Sequence, residues 1–243
     1  MTFTRQNVTT ARGIAYDKGL REYMLGVFGY MSLALFITGI IAFFTSSTPE
    51  IMRLFYASKP DGTYGASGVG YLVMFAPLIF VLIFSFGINR MSVSTARFTL
   101  LAFASVMGLS LSFIFMSYTG ESIARTFFIT ASVFATMSIY GYTTKRNLIS
   151  FGSFLIMGLI GVLIASAVNM FLHSSAMNFV ISIIGVLIFT GLTAYDVQRI
   201  SNVYWSLPAG EQREKAAVMG ALSLYMDFIN LFLFMLRLFG HRR

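Results

Sequence analysis

The chain has no cysteine, and that removes disulfides, thiolate nucleophiles and thiolate-held metal clusters from consideration. It has only two histidines, His173 and His241, one in a loop and one near the tail, and no H-E-x-x-H pattern. Zinc hydrolysis therefore lacks its ligands. Charge is scarce as well. Asp and Glu number nine, and all charged residues together make up 11% of 243 positions. No glycine-rich phosphate loop and no dinucleotide fingerprint occurs, so nothing here would bind ATP to drive a pump. The four lysines, Lys18, Lys59, Lys145 and Lys215, lie in tails, loops or at a helix edge. None is placed mid-membrane to form a retinal Schiff base.

What is abundant is apolar surface. Hydrophobic residues make up 57% of the chain and the mean hydropathy is +0.78. A soluble domain of this size does not carry that composition. The expectation is a single polytopic all-α membrane domain over 1–243, with no soluble domain beside it. Residues 1–24 are polar, lack a small-residue cleavage site, and read as a cytoplasmic tail. The net charge of +8 does not point to nucleic acid, because the basic residues are scattered among loops and chain ends. Membrane proteins keep Lys and Arg there to set orientation and meet anionic headgroups.

A spanning helix needs ~20 mostly apolar residues. Seven stretches qualify, near 25–45, 70–90, 98–118, 123–142, 148–172, 176–200 and 216–238. The loop 46–69 contains a short apolar patch, IMRLFY, expected to lie in the membrane surface. The other loops are short, which favours antiparallel neighbours. Eleven basic residues fall on the N-terminal side of these spans and six on the other, so the N-terminus is expected in the cytoplasm. An odd number of spans then puts the C-terminus outside. The basic tail HRR argues the other way, and a six-span chain with a re-entrant last segment is the competing topology. Ala104, Gly108 and Ser112 recur at helical spacing and allow close backbone approach, as do Gly158 and Gly161. Tyr204 and Trp205 suit an interfacial anchor.

Two acids stand out against this background. Asp196 lies in FVISIIGVLIFTGLTAYDVQRI and Asp227 in AAVMGALSLYMDFINLFLFMLRLFG. A carboxylate deep in a bilayer costs roughly 2.5–3.5 kcal/mol, so an intramembrane acid is a functional candidate by default. The two are arranged almost evenly about the turn Leu207-Pro-Ala-Gly-Glu-Gln212. If the sixth helix continues to about Trp205, antiparallel packing brings the acids level, each ~15 Å from the turn. Facing carboxyls in a poorly hydrated site cannot both ionise cheaply, and the pair holds one proton between them. That proton ties two helices together. Its loss as pH rises leaves like charges opposed, and the helices then separate, admit water, recruit a cation or find an arginine. Carboxylate oxygens suit a hard cation such as Ca²⁺, so Asp196 and Asp227 are also the candidate metal-contacting residues. Arg199, three residues beyond Asp196, is a candidate partner on the same helix, and Asp196 also has a plain reading as an interfacial charge. An intramembrane aspartyl protease would share the Tyr195-Asp196 pair. Its Gly-x-Gly-Asp half is absent, since Leu224, Tyr225 and Met226 precede Asp227.

These same segments resemble the Bax inhibitor-1 family, including its bacterial members. The likeness rests on GLTAYDVQRI and LSLYMDFINLFLFMLRLFG, supported by MGLSLSFIF at 107–115 and SIYGYTTKRNL at 138–148. It covers roughly residues 20–240. The resemblance implies seven helices with the last one central. It implies a non-enzymatic, pH-sensitive Ca²⁺ leak with Asp196 and Asp227 as the sensing pair, and no cofactor beyond the ion itself. It also implies an arginine on the second span that engages the sixth-span aspartate, for which Arg90 is the only basic residue in place. Bacterial relatives are further linked to modulating a membrane-bound protease, so a non-transporting role as partner of a protease or cell-death regulator is the alternative. Short loops make a bacterial inner membrane the expected location.

Overall fold

The computed structural model describes residues 18–58 and 64–242; most of the polar tail at 1–24 lies outside these bounds. Nine α-helices are present among them: α1 (Lys18–Ser47), α2 (Pro49–Phe55), α3 (Gly68–Gly87), α4 (Val93–Leu111), α5 (Phe113–Ser117), α6 (Gly120–Thr143), α7 (Ile149–Leu172), α8 (Ser175–Ser206) and α9 (Glu211–Phe239). A 3₁₀ turn, Ile88–Arg90, follows α3. A small antiparallel hairpin, β1 (Tyr56–Ser58) with β2 (Tyr64–Ala66), lies in the expected long loop, and an isolated β-bridge joins Tyr118 to Arg242. Residues 51–55 of the IMRLFY patch lie in α2, from which Phe55 turns inward, and Tyr56 opens β1.

Among the described residues, six helical segments are long and apolar enough to cross a bilayer: α1, α4 with α5, α6, α7, α8 and α9. The stretch expected at 70–90 folds as α3, with 20 residues and Pro77 inside; its apolar part, Gly68–Phe84, is shorter than the six. Helix ends differ from the expected spans in an instructive way. α1 begins at Lys18 rather than 25, and α9 at Glu211 rather than 216. Hydropathy marks the hydrocarbon, whereas a helix continues into water wherever its backbone bonds are supported. Lys18 pairs with Glu22, and Lys215 with Glu211, each one turn apart. The third expected span is broken at Ser112, which joins α4 to α5. Its hydroxyl donates to the Leu109 carbonyl at 2.7 Å, so the side chain competes for the acceptor that the ladder would use.

α9 is the most enclosed candidate span: 72% of its apolar window is buried, against 11% for α7. It packs on α8, α1, α6 and α4. Its apolar residues run all round the helix, from Val218 and Ala221 through Leu224 and Leu231 to Leu236, the pattern of a helix surrounded by others. Close approach to α8 is allowed by small residues: Gly220 meets Ile200, and Gly185 meets the Phe234 ring. Gly108 likewise admits α1 at Thr38 and Ile41, and Gly158 faces Ile188, but Gly161 faces open space and brings no neighbour in. A buried polar knot joins three helices: the Thr38 hydroxyl of α1 donates to the Ala104 carbonyl of α4 at 2.9 Å and lies 2.7 Å from the Tyr225 hydroxyl of α9.

The start of α1 and the α8–α9 turn share one end of the bundle, with the Tyr23 and Tyr204 rings 5.5 Å apart. The C-terminal segment is tied to the other end. Thr119 N–H donates to the His241 carbonyl at 3.2 Å, and His241 N–H donates to Ser122 Oγ at 2.9 Å. α9 is one unbroken helix of 29 residues.

Candidate functional site

The turn between α8 and α9 is Leu207 to Gly210. Pro208 cannot continue a helix ladder, and Gly210 adopts φ 109°, which a side chain would strain. α8 runs ten residues past Asp196, to Ser206, and α9 starts sixteen residues before Asp227. At 1.5 Å per residue the two arms measure about 15 Å and about 24 Å. The expected arm of about 15 Å therefore holds for Asp196 but not for Asp227, because the first turn and a half of α9 overhangs the end of α8. The register between the helices nonetheless sets the acids against each other. Ile200 lies on Gly220, Arg199 reaches Ser223, and Asp196 faces Asp227.

Both carboxyl-bearing residues are buried, Asp196 at 7% and Asp227 at 6% exposure. The two acids line the same cavity and act on one another's charge. Arg199 pairs with Asp196 Oδ1 at 3.1 Å and donates to Ser223 Oγ on α9 at 3.2 Å. Its guanidinium also sits 5.6 Å from the centre of the Tyr195 ring. The charge of Arg199 acts on both acids. Asp227 Oδ2 is enclosed and has no hydrogen-bond partner among the described residues. Two carboxyl oxygens brought together repel unless a proton lies between them. With one proton on the pair, the trio Asp196, Asp227 and Arg199 is neutral; with none, it carries one negative charge in a site walled by hydrocarbon.

The acids open on a cavity of about 340 Å³. α8 supplies Tyr195, Asp196 and Arg199 to its wall, and α9 supplies Ser223 and Asp227. Val81 and Phe84 from α3 and Ile156 and Leu159 from α7 close the apolar side. Arg90 is not among these residues. It is exposed on the 3₁₀ turn, one and a half helical turns beyond Phe84, and the guanidinium that meets Asp196 is that of Arg199. Sequence reasoning had not singled out Ser223 or Gln198. Gln198 fixes the α6–α7 loop to α8, accepting from Leu148 N–H and donating to the Arg146 carbonyl, both at 2.8 Å. Ser223 lies one helical turn before Asp227, and that spacing was the available signal; Gln198, two residues past Asp196, carries none.

A family model described as inhibitor of apoptosis-promoting Bax1 matches residues 20–243. The chain belongs to the Bax inhibitor-1 family. An uncharacterized protein of Rickettsia prowazekii is 46% identical over 241 residues, covering 99% of this chain and 98% of that one. The inner membrane protein YbhL of Escherichia coli is 40% identical over 227 residues, covering 93% and 94%. An uncharacterized protein of Caulobacter vibrioides is 44% identical over 233 residues, covering 95% and 92%. As a Bax inhibitor-1 family member, this is a helical membrane protein, and the family match takes in all of the cavity's wall and both acids.

Proposed function

We propose that this protein is a pH-sensitive leak for Ca²⁺, gated by a proton shared between Asp196 and Asp227. The observation that carries this reading is the burial of two facing carboxyls with Arg199 paired to one of them. At low pH the shared proton joins α8 to α9 and the site is neutral. As pH rises the proton leaves, a net negative charge is stranded among apolar side chains, and the cheapest relief is to admit water and a cation. The pair offers at most four carboxylate oxygens, fewer than the six to eight that Ca²⁺ takes in a tight site. That number suits passage of the ion rather than storage. No covalent chemistry is assigned to the aspartates, and the protein is read as non-enzymatic, with no cofactor.

The relative named as an inner membrane protein supports the same location here. The excess of Lys and Arg on the N-terminal side supports a cytoplasmic N-terminus. A second reading follows from the family description, which names an inhibitor of another protein. In that reading the chain restrains a membrane protease or cell-death regulator without conducting ions.

The test is Ca²⁺ uptake into vesicles that hold only this protein, measured from pH 5 to 8. Flux that rises with pH in the wild type and becomes independent of pH in Asp227→Asn is expected. Flux that still tracks pH in that variant removes the gate, and no flux at all favours the partner role.

A further inference from the structure

At the end of the bundle where α1 begins, a second cavity of about 420 Å³ lies between α1, α4 and the α8–α9 turn. Tyr23, Tyr30 and Tyr204 line it, with Arg97, Arg213 and Glu214. Most of its charges are already matched. Arg97 pairs with Glu214 at 2.8 Å, and Glu22, also on the wall, pairs with Lys18 at 3.9 Å. Arg213 has no carboxylate partner among the described residues. Its terminal nitrogen donates to the Leu207 carbonyl at 2.7 Å, and its guanidinium lies 4.1 Å from the centre of the Tyr204 ring.

Two polar atoms in this wall have no hydrogen-bond partner among the described residues although both are buried: the Tyr23 hydroxyl and Arg213 Nε. Tyr23 is only 8% exposed, and it lies close enough to Arg213 to feel its charge. A buried donor left without an acceptor costs about 1–3 kcal/mol, so two in one cavity require a reason. A third source of donors adjoins them. Gly210, the N-cap of α9, lines the same cavity and supplies no side-chain cap, so the first amides of a 29-residue helix are not capped by a side chain there. An O–H donor, an N–H donor on an unpaired cation and the positive end of a helix all call for an acceptor with negative charge.

We propose that this cavity is an oxyanion site, built to take a phosphate group on Arg213 Nε and the Tyr23 hydroxyl at the start of α9. The phosphate belongs either to a lipid headgroup or to a soluble phosphate. Its position suits both sources, since Trp205, exposed beside Tyr204, marks the level of an interfacial aromatic. The site is distinct from the aspartate pair and shares no residue with that cavity. Occupation would brace the α8–α9 turn against α1.

The experiment uses the full chain purified in detergent. Thermal unfolding is followed with inorganic phosphate in one arm and with added phosphatidylglycerol in the other, and native mass spectrometry counts bound lipid. Stabilisation by inorganic phosphate identifies a soluble ligand; stabilisation by phosphatidylglycerol alone identifies a headgroup. In either case Arg213→Gln and Tyr23→Phe are expected to weaken the apparent affinity about tenfold or more, as loss of a charge-assisted hydrogen bond does. Tyr23→Phe keeps the ring contact with Tyr204 and removes only the unpaired hydroxyl, so its unfolding temperature without ligand is expected to match or exceed that of the wild type. Absence of any response to both probes in the wild type, or equal responses in wild type and Tyr23→Phe, overturns the proposal.

Discussion

Arg199 holds Asp196 at 3.1 Å from within the same helix and, with another bond from the same terminal nitrogen, reaches Ser223 on α9. The cation that steadies the ionised acid thus also spans the seam that must open if the acids part. Removing it has two effects of known sign. The negative form of the pair loses the one close positive charge found among the described residues, so the proton is held to higher pH, and the seam loses a side-chain bridge. Arg199→Gln is expected to move the rise of Ca²⁺ flux to higher pH in vesicles. A profile that stays in place shows that this guanidinium does not set the gate.

The acids themselves differ in what each loses on neutralisation. Asp196→Asn leaves Arg199 without its carboxylate, while Asp227 can still ionise and take over that partner. Asp227→Asn leaves the Asp196–Arg199 ion pair intact and removes the excess charge altogether. Unfolding temperature in detergent is therefore expected to fall between pH 6 and pH 8 in the wild type and to stay flat in Asp227→Asn. Asp196→Asn is expected to keep part of the slope. Parallel pH slopes in all three proteins count against a shared proton.

Much of this site was legible before any coordinates, and the physical reasons are particular. Asp196 and Asp227 were visible because an acid in an apolar run has no cheap explanation, and their pairing followed from a turn at Leu207 to Gln212 close to their midpoint, although the two helical arms are unequal. The helix ends were not visible, since Lys18 to Glu22 and Glu211 to Lys215 are polar residues whose helical state depends on local ion pairs rather than on hydropathy. The break at Ser112 was hidden for a similar reason: it depends on one hydroxyl bond inside an otherwise apolar span. Arg90 against Arg199 could be decided only in three dimensions, by which guanidinium reaches the cavity. The cavity around Tyr23 and Arg213 has no sequence signature, because its wall comes from chain positions nearly two hundred residues apart.

The knot of Thr38, Ala104 and Tyr225 lies two residues from Asp227 and gives α9 a fixed neighbour on the side away from α8. Its two hydroxyls are not equivalent. Tyr225→Phe leaves Thr38 still donating to the Ala104 carbonyl, and the loss is one hydrogen bond, about 1 kcal/mol. Thr38→Val leaves a fully buried Tyr225 hydroxyl with no partner and is expected to cost about 1–3 kcal/mol. Denaturation of the two variants in matched detergent checks the order. The opposite order places the anchor of the knot on α9 rather than α1.

Glycines on neighbouring helices separate packing from mere tolerance. A Cβ on Gly141 of α6 would fall on the backbone carbonyl of Ala194 in α8, two residues before Asp196. Backbone cannot rotate aside as a side chain does, so the helices must move apart. A Cβ on Gly161 of α7 meets nothing within 4 Å. Gly141→Ala is expected to destabilise by about 1–3 kcal/mol, the range for overpacking, and to disturb Ca²⁺ flux because the shift lands on the helix that carries Asp196. Gly161→Ala is expected to be neutral or stabilising by up to about 1 kcal/mol, since alanine is the better helix former. Unfolding and flux measured on both variants test whether α6 holds α8 at the level of the acids. Equal stability of the two variants means that the approach of α6 to Ala194 does not position Asp196.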